Sequence, residues 1–149
     1  MAIARGAGTE IIRTIYADDI DSTDTILIFG VQHHIYTVLN VTFIAETWQA
    51  SGNKVRLFVV GWDAIGGSSG QSFNLFNQAM IAGQTFVWND KFSFNGHEPT
   101  GVSGAMDSIV KQDAIADQGS STPQYLKVDT THSSDSGHIS VTYIDQNNA

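Results

Sequence analysis

The sequence predicts an all-β fold: an antiparallel β-sandwich of jelly-roll type with at most one short helix. Apolar residues recur at alternate positions in a series of short segments, which is the spacing of strands buried on one face. These segments do not alternate with long helical patterns, as the strands of a parallel sheet would. Fourteen glycines against two prolines suit a chain that turns often. The 149 residues are enough for one domain, which we expect to span residues 1–149 around a single core.

The alternation places strands in nine segments along the chain. They are residues 9–16, 25–29, 34–49, 54–62, 71–79, 84–88, 91–94, 124–130 and 137–145. Residues 1–8 are small and glycine-rich and are predicted to form an arm. An insertion at about residues 97–119 interrupts the β pattern. Within it, residues 107–118 are predicted to form a short helix that stops at Gly119.

The segment 78–96 concentrates aromatic side chains. Ala82 and Gly83 are predicted to form a tight turn, and Asn89 and Asp90 a second turn that joins two strands into a hairpin. Four large rings share one sequence parity and would line one face of that hairpin: Phe86, Trp88, Phe92 and Phe94. Four exposed rings would form a large sticky patch. We therefore expect a second sheet or another chain to cover this face.

Two further hairpins are predicted from neighbouring strand segments. Residues 34–49 and 54–62 are separated by the small polar turn 50–53 and form the clearest long hairpin. Residues 124–130 and 137–145 flank a serine-rich and aspartate-rich turn near the end of the chain.

Composition excludes several classes of protein. Seven Lys and Arg against fifteen Asp and Glu give a net charge of -8, and no basic stripe points to nucleic acid. No apolar run is long enough for a transmembrane helix, and the N-terminus lacks the apolar stretch of a signal peptide. We therefore expect no membrane partner and no export by the usual route. The absence of cysteine excludes disulfides and thiolate metal sites.

Several clusters of polar residues contain possible metal ligands, but none of them predicts a metal site. An acidic loop carries Asp18, Asp19, Asp21 and Asp24, but it lacks the glycine and distal glutamate of a calcium-binding loop. Zinc ligands can be histidine and carboxylate, yet the residues between His132, Asp135 and His138 are those of a turn. His33 and His34 would point to opposite faces of a strand. We expect no catalytic, cofactor or metal site.

Two remaining groups are also interpreted structurally. His97 and Glu98 could act as an acid–base pair, but no nucleophile or orienting group accompanies them, so a surface loop is the preferred interpretation. Tryptophans can stack on sugar rings, but all three lie in predicted strands, which favours packing in the core or at an interface. These are Trp48, Trp62 and Trp88.

The order of the segments resembles that of a known group of proteins. The long segment HIYTVLNVTFIAETWQASGNKVRLFVVGW is followed by IAGQTFVWNDKFSFNG and finally by YLKVDTTHSSDSGHISVTYID. This pattern is similar to the small β-sandwich virion proteins of tailed bacteriophages, especially marine ones. The opening ARGAGTEIIR and the closing YIDQNNA resemble marine phage structural proteins as well. The resemblance covers about residues 9–145 and implies a domain that decorates capsids or builds tail and fibre parts.

We therefore interpret the chain as a non-enzymatic virion structural protein, made in the host cytoplasm. The favoured role is a capsid decoration protein that binds the outer capsid surface, with the major capsid protein or another virion protein as partner. We expect a homo-oligomer, and a trimer would suit the local threefold positions of a capsid. The predicted interface comprises Arg5, Ile11, Ile12, Ile15, Tyr16 and Phe94, whereas Trp88 is expected in the core.

Two other classes remain open from the sequence. The chain would be a carbohydrate-binding or receptor-binding module of a tail or fibre if exposed tryptophans lay beside polar residues in a groove. It would be a jelly-roll enzyme of the cupin kind if several histidines pointed into a barrel around a metal. The scattered histidines favour the enzyme least.

Overall fold

A computed structural model describes residues 9–61, 70–98, 105, 107–116 and 122–147. In these residues the chain forms nine strands and one short helix. They are β1 (Thr9–Ile20), β2 (Thr25–Phe29), β3 (His34–Thr47), β4 (Lys54–Gly61), β5 (Gln71–Ala79), β6 (Thr85–Trp88), β7 (Phe92–Asn95), α1 (Ile109–Ala116), β8 (Tyr125–Thr130) and β9 (Ser136–Asn147).

The strands form two antiparallel sheets that face each other. One sheet has the order β1–β9–β3–β6, with β7 also paired to β3, and the other has the order β2–β8–β4–β5. The chain changes sheet at most connections. If β6 and β7 are taken as one interrupted strand, this is the eight-stranded order of a jelly roll. The predicted all-β sandwich is confirmed, and the helix α1 lies inside the predicted segment 107–118.

The predicted hairpin within residues 84–94 is wrong. β6 pairs with residues 41–44 of β3 and β7 pairs with residues 35–38 of the same strand, both antiparallel. The two segments therefore run in one direction along one edge, and Asn89 and Asp90 interrupt the strand without reversing it. A turn dipeptide marks a place where pairing breaks, but it does not by itself decide whether the chain folds back.

The other two predicted hairpins are also wrong. β3 and β9 lie in the first sheet, whereas β4 and β8 lie in the second. The segments after β3 and after β8 therefore cross between sheets. The two crossings are tied together, because the Gln49 N–H donates to the buried carboxylate of Asp135 at 2.8 Å. Trp48 closes the first crossing by donating its indole N–H to the Asn53 carbonyl at 3.2 Å.

The core lies between the two inner faces. Its largest fully buried side chains include Phe43 and Ile139 from the first sheet and Leu57 and Leu126 from the second. The four aromatic rings of β6 and β7 all face this core, as their shared parity predicted. Phe76 of the opposite sheet covers part of the set.

The order of burial among those rings reverses our prediction. Phe94 is only 7% exposed and packs on Tyr36 at 5.4 Å between ring centroids. Trp88, expected in the core, is half-buried against Phe76 at 5.9 Å. Both rings pair with buried residues of β3, Phe94 with Tyr36 and Trp88 with Val41, so register does not explain the difference. The ring of Trp88 lies against Phe76 of β5, which is an edge strand of the other sheet.

A close approach of backbones closes one end of the sandwich. The Gly30 N–H donates to the Gln124 carbonyl, and the Gln124 N–H donates to the Gly96 carbonyl, both at 2.8 Å. A Cβ atom at Gly30 would overlap the carbonyl of Gly96, and one at Gly96 would overlap that of Val31. Glycine is therefore required at both positions because no side chain fits between the strands.

Candidate interaction surface and polar clusters

The predicted interface residues divide between an exposed strand and the core. Ile11, Ile12 and Tyr16 lie on β1 and are 46%, 70% and 64% exposed. Ile15, on the same strand, is half-buried and packs against the core. Phe94 is buried within its own chain, which leaves little of its ring for a partner. Arg5 and the arm 1–8 lie outside the described residues.

β1 is an edge strand of twelve residues. It pairs with β9 along one side, from Thr9 opposite Asn147 to Ile20 opposite Gly137. Within the described ranges no strand pairs with its other side. The pairing is irregular between Ala17 and Ile20, and Asp19 has a left-handed φ of 51°. A free edge with exposed isoleucine and tyrosine is therefore available over residues 9–16.

An ionic cluster holds the start of β1 against the sheet. Asp145 of β9 accepts from Arg13 Nε of β1 at 3.2 Å and is 2.6 Å from His34 Nδ1 of β3. Asp145 is 9% exposed, so this carboxylate bridges three strands near the edge of the core. Burial, with an added contribution from Asp145, raises the pKa of the neighbouring phenols of Tyr36 and Tyr143.

A second cluster lies on the outer face of the same sheet. Asp18 of β1, Glu46 of β3 and His138 of β9 each bring one potential ligand atom within 4.8 Å of the other two. His138 Nδ1 is 3.0 Å from Glu46 Oε1, and the ring of Tyr16 lies 5.9 Å from the imidazole. Partial desolvation and the charges of Asp18 and Glu46 raise the pKa of Tyr16.

Sequence reasoning missed this cluster because it grouped the same residues with their chain neighbours. Asp18 was assigned to an acidic loop, and His138 was compared with His132 and Asp135. The structure gives those neighbours other roles: Asp135 is buried and accepts from a backbone N–H, and the His132 ring accepts from the Ser134 N–H at 3.1 Å. Only the alternation of β1, β3 and β9 hints that the three side chains share a face.

The second sheet carries a polar depression on its outer face. It has a volume of about 230 Å³ and is lined by Asp24, Arg56, Phe58, Ser72, Asn74 and Asp129. Arg56 Nε donates to Asp129 at 2.8 Å and Arg56 also bonds the second carboxylate oxygen. This hydrogen bonding raises the pKa of Arg56. Donors and acceptors held in place by this pairing thus line the depression together with Phe58.

Among the described residues, the tryptophans do not form the exposed groove that a carbohydrate-binding module would need. Trp48 is buried and Trp88 packs against Phe76. Neither lines the polar depression, and Trp62 lies outside the described residues. The structure offers instead a polar depression whose lining includes one phenylalanine, Phe58.

The interpretation of His97 and Glu98 as a surface loop is wrong for Glu98. Glu98 is 1% exposed, and its carboxylate accepts a hydrogen bond from the Gly70 N–H at 2.8 Å. His97 forms an isolated bridge with Pro123. Glu98 thus joins two segments of the fold through a buried hydrogen bond.

No model of a protein family matches the chain, and no curated protein matches it. Among solved structures, a Bacillus endospore appendage described as a disulfide-linked pilus is 10% identical, with a TM-score of 0.49; the match covers 100% of this chain and 97% of that one. The T13 particle of infectious bursal disease virus gives 9% identity and a TM-score of 0.42, over 96% and 36% of the two chains. The chain of T=1 particles derived from that virus is 11% identical, with a TM-score of 0.42, and the match covers 99% of this chain and 38% of that one.

The chain thus spans well under half the length of those viral proteins. These neighbours are a spore pilus and viral capsid proteins, whereas the sequence pattern resembles phage proteins, so the phage resemblance stays a prediction. In the part of the chain that the structure describes, no helix is long and apolar enough to cross a membrane.

Proposed function

We propose that this chain is a non-enzymatic structural subunit that acts by binding copies of itself and a larger assembly. The observation that carries the proposal is the exposed edge of β1, where Ile11, Ile12 and Tyr16 stand beside backbone groups that no strand of the described residues pairs. The interface predicted from the sequence lies on this strand, except for Arg5 and Phe94. We now assign the interface to β1 and leave Phe94 to the core.

The composition of β1 supports pairing with a partner. Proteins protect free edges with short strands, charged side chains, proline or bulges. β1 carries charges at Glu10 and Arg13, but Arg13 is paired with Asp145 of its own sheet. β1 is twelve residues long, TEIIRTIYADDI, with no lysine and no proline, and its one irregularity comes near the end, between Ala17 and Ile20. Residues 9–16 therefore present a regular edge on which another strand can add.

The energy of the apolar contact indicates that backbone pairing is needed as well. Complete burial of a large apolar side chain contributes about 1.5–3 kcal/mol. Ile12 and Tyr16 expose about two thirds of their surface, so together they contribute about 3 kcal/mol. Association costs at least about 4 kcal/mol. The side chains of one strand alone are thus too weak, so the apolar surface of the partner and hydrogen bonds along the edge of β1 add to the contact.

Within this class, the resemblance of segments 34–62, 81–96 and 125–145 to phage virion proteins favours a capsid decoration protein. Its partner would be the major capsid protein, and its location the virion. A trimer would match the local threefold positions of a capsid. Labelling of particles with an antibody to this chain tests the position: label on the capsid supports decoration, and label on the tail or fibre refutes it.

The assembly proposal is tested by sedimentation of the full chain over a range of concentrations. We expect an oligomer for the wild type and a folded monomer for Ile12→Lys, because a charge in the contact opposes burial. Ile26→Lys is the matched control, since Ile26 is 48% exposed on β2 of the other sheet. A monomeric wild type, or an Ile12→Lys variant as oligomeric as the control, would overturn the proposal.

A tail or fibre module that binds a carbohydrate is the second candidate, favoured by the polar depression. Its paired charges, Ser72 and Asn74 offer donors and acceptors to hydroxyl groups, while Phe58 offers an apolar surface. A glycan array with the wild type and Asn74→Ala tests this role. Binding that Asn74→Ala abolishes supports it, and an array without binding removes it.

A further inference from the structure

We infer that Asp18, Glu46 and His138 form a binding site for a divalent transition-metal ion, which joins the edge strand β1 to β9 and β3. One residue comes from each of three neighbouring strands on the outer face of the first sheet. All three residues belong to one chain, so the site does not depend on the proposed assembly.

The distances fit a shared ion after small side-chain movements. Zinc binds imidazole nitrogen and carboxylate oxygen at about 2.0–2.2 Å. In the tetrahedral arrangement that zinc prefers, two ligand atoms on one ion are about 3.4 Å apart. The three atoms in this cluster lie within 4.8 Å of one another, and Asp18 and Glu46 are exposed. Closure requires side-chain movements of about 1.4 Å or less.

Strand register brings the three residues together. Ile44 of β3 lies opposite His138, and Ala17 of β1 lies opposite Ile139, so Asp18 and His138 occupy neighbouring positions on paired strands. Glu46 lies at the irregularity between Ala45 and Thr47 of this pairing, and its carboxylate reaches His138 Nδ1 at 3.0 Å. Ligands carried on three paired strands are held in place better than ligands carried on a loop.

The local charge favours a cation. Two carboxylates approach one imidazole in a chain whose net charge is -8. Among the ion pairs of the described residues, no lysine or arginine bonds to Asp18 or Glu46. His138 is the one group there that can offset the two negative charges, and it does so only when protonated. A divalent ion would offset both and keep the imidazole neutral.

The ligand set indicates the class of metal. Calcium and magnesium prefer sites made of oxygen ligands alone. One imidazole with two carboxylates suits zinc and neighbouring transition metals. Because two of the three side chains are exposed, water can complete the coordination. The ion would stabilise β1 at the irregularity between Ala17 and Ile20, where Asp18 lies.

The test is calorimetric titration of chelator-treated, full-length protein with zinc chloride, and with calcium chloride for comparison. We expect one zinc per chain and much weaker calcium binding. Asp18→Asn, Glu46→Gln and His138→Gln should each weaken zinc binding about tenfold or more. Asp90→Asn and His132→Gln are matched controls on exposed residues outside the cluster and should keep the wild-type affinity. Circular dichroism checks that every variant is folded.

X-ray absorption of the zinc complex gives a second readout that does not depend on variants. One nitrogen and several oxygen neighbours at bonding distance support the site. Two or more imidazole nitrogens would place the metal elsewhere, because the cluster holds one histidine. The inference is overturned by the absence of saturable zinc binding, or by a loss of binding in His138→Gln alone, which would mean a lone histidine without the carboxylates.

Discussion

Truncation of Phe94 distinguishes a core residue from an interface residue. Phe94 is 7% exposed, and its ring packs on that of Tyr36, which is 3% exposed. Replacing a buried phenylalanine by alanine costs about 3–5 kcal/mol, because apolar contact is lost and a cavity remains. At about 4 °C per kcal/mol for a chain of this length, Phe94→Ala should lower the melting temperature by about 12–20 °C.

Phe29→Ala is the matched control for the same change of side chain. Phe29 is 57% exposed and contacts the ring of Tyr125 at 4.8 Å. Loss of its buried fraction and of one aromatic pair should cost about 1–2 kcal/mol. Stability is read from thermal and urea unfolding, and mass from sedimentation. If Phe94→Ala is no less stable than Phe29→Ala, or keeps its melting temperature but dissociates, the assignment of Phe94 to the core is wrong.

Two further predictions concern ionic and phenolic groups. Arg56→Met should destabilise the fold by about 3 kcal/mol, because it leaves the nearly buried carboxylate of Asp129 without its partner. The double variant Arg56→Met, Asp129→Leu should regain most of that stability. Urea unfolding measures both variants, and a loss under about 1 kcal/mol for Arg56→Met would contradict the argument. Burial raises the pKa of Tyr36 and Tyr143, so the stability that these two phenols contribute should be constant below about pH 10 and be lost as the pH rises through the folded-state pKa. Tyr143→Phe should make that fall shallower in urea unfolding at a series of alkaline pH values, and an unchanged slope would contradict it.

Strand positions were accessible from the sequence because alternation is a local property. The predicted segment 71–79 matches β5, and 34–49 closely matches β3. Side-chain parity also placed the rings of β6 and β7 on one inward face. Each of these conclusions follows from geometry within one strand, where successive side chains point to opposite faces.

Which strands pair with each other could not be predicted from the sequence in the same way. Every strand offers the same backbone donors and acceptors, so hydrogen bonding does not encode which strand lies beside it. A short polar turn suits a hairpin and also suits a crossing between sheets, as at residues 50–53. The exposure of Ile109 and Val110 on α1 was likewise undecided, since the few apolar residues of a short helix do not show what they pack against.

The sequence by itself determined the class of fold, the approximate positions of the strands, the shared face of the β6 and β7 rings and the apolar character of β1. Only the tertiary structure decided that β1 lies at an edge, that Phe94 is more buried than Trp88 and that Glu98 is buried. It also brought together Asp18, Glu46 and His138, which are 28 and 92 residues apart in the chain. The physical reason is that side-chain alternation acts over two residues, whereas burial and clustering depend on which strands the collapse of the core sets side by side.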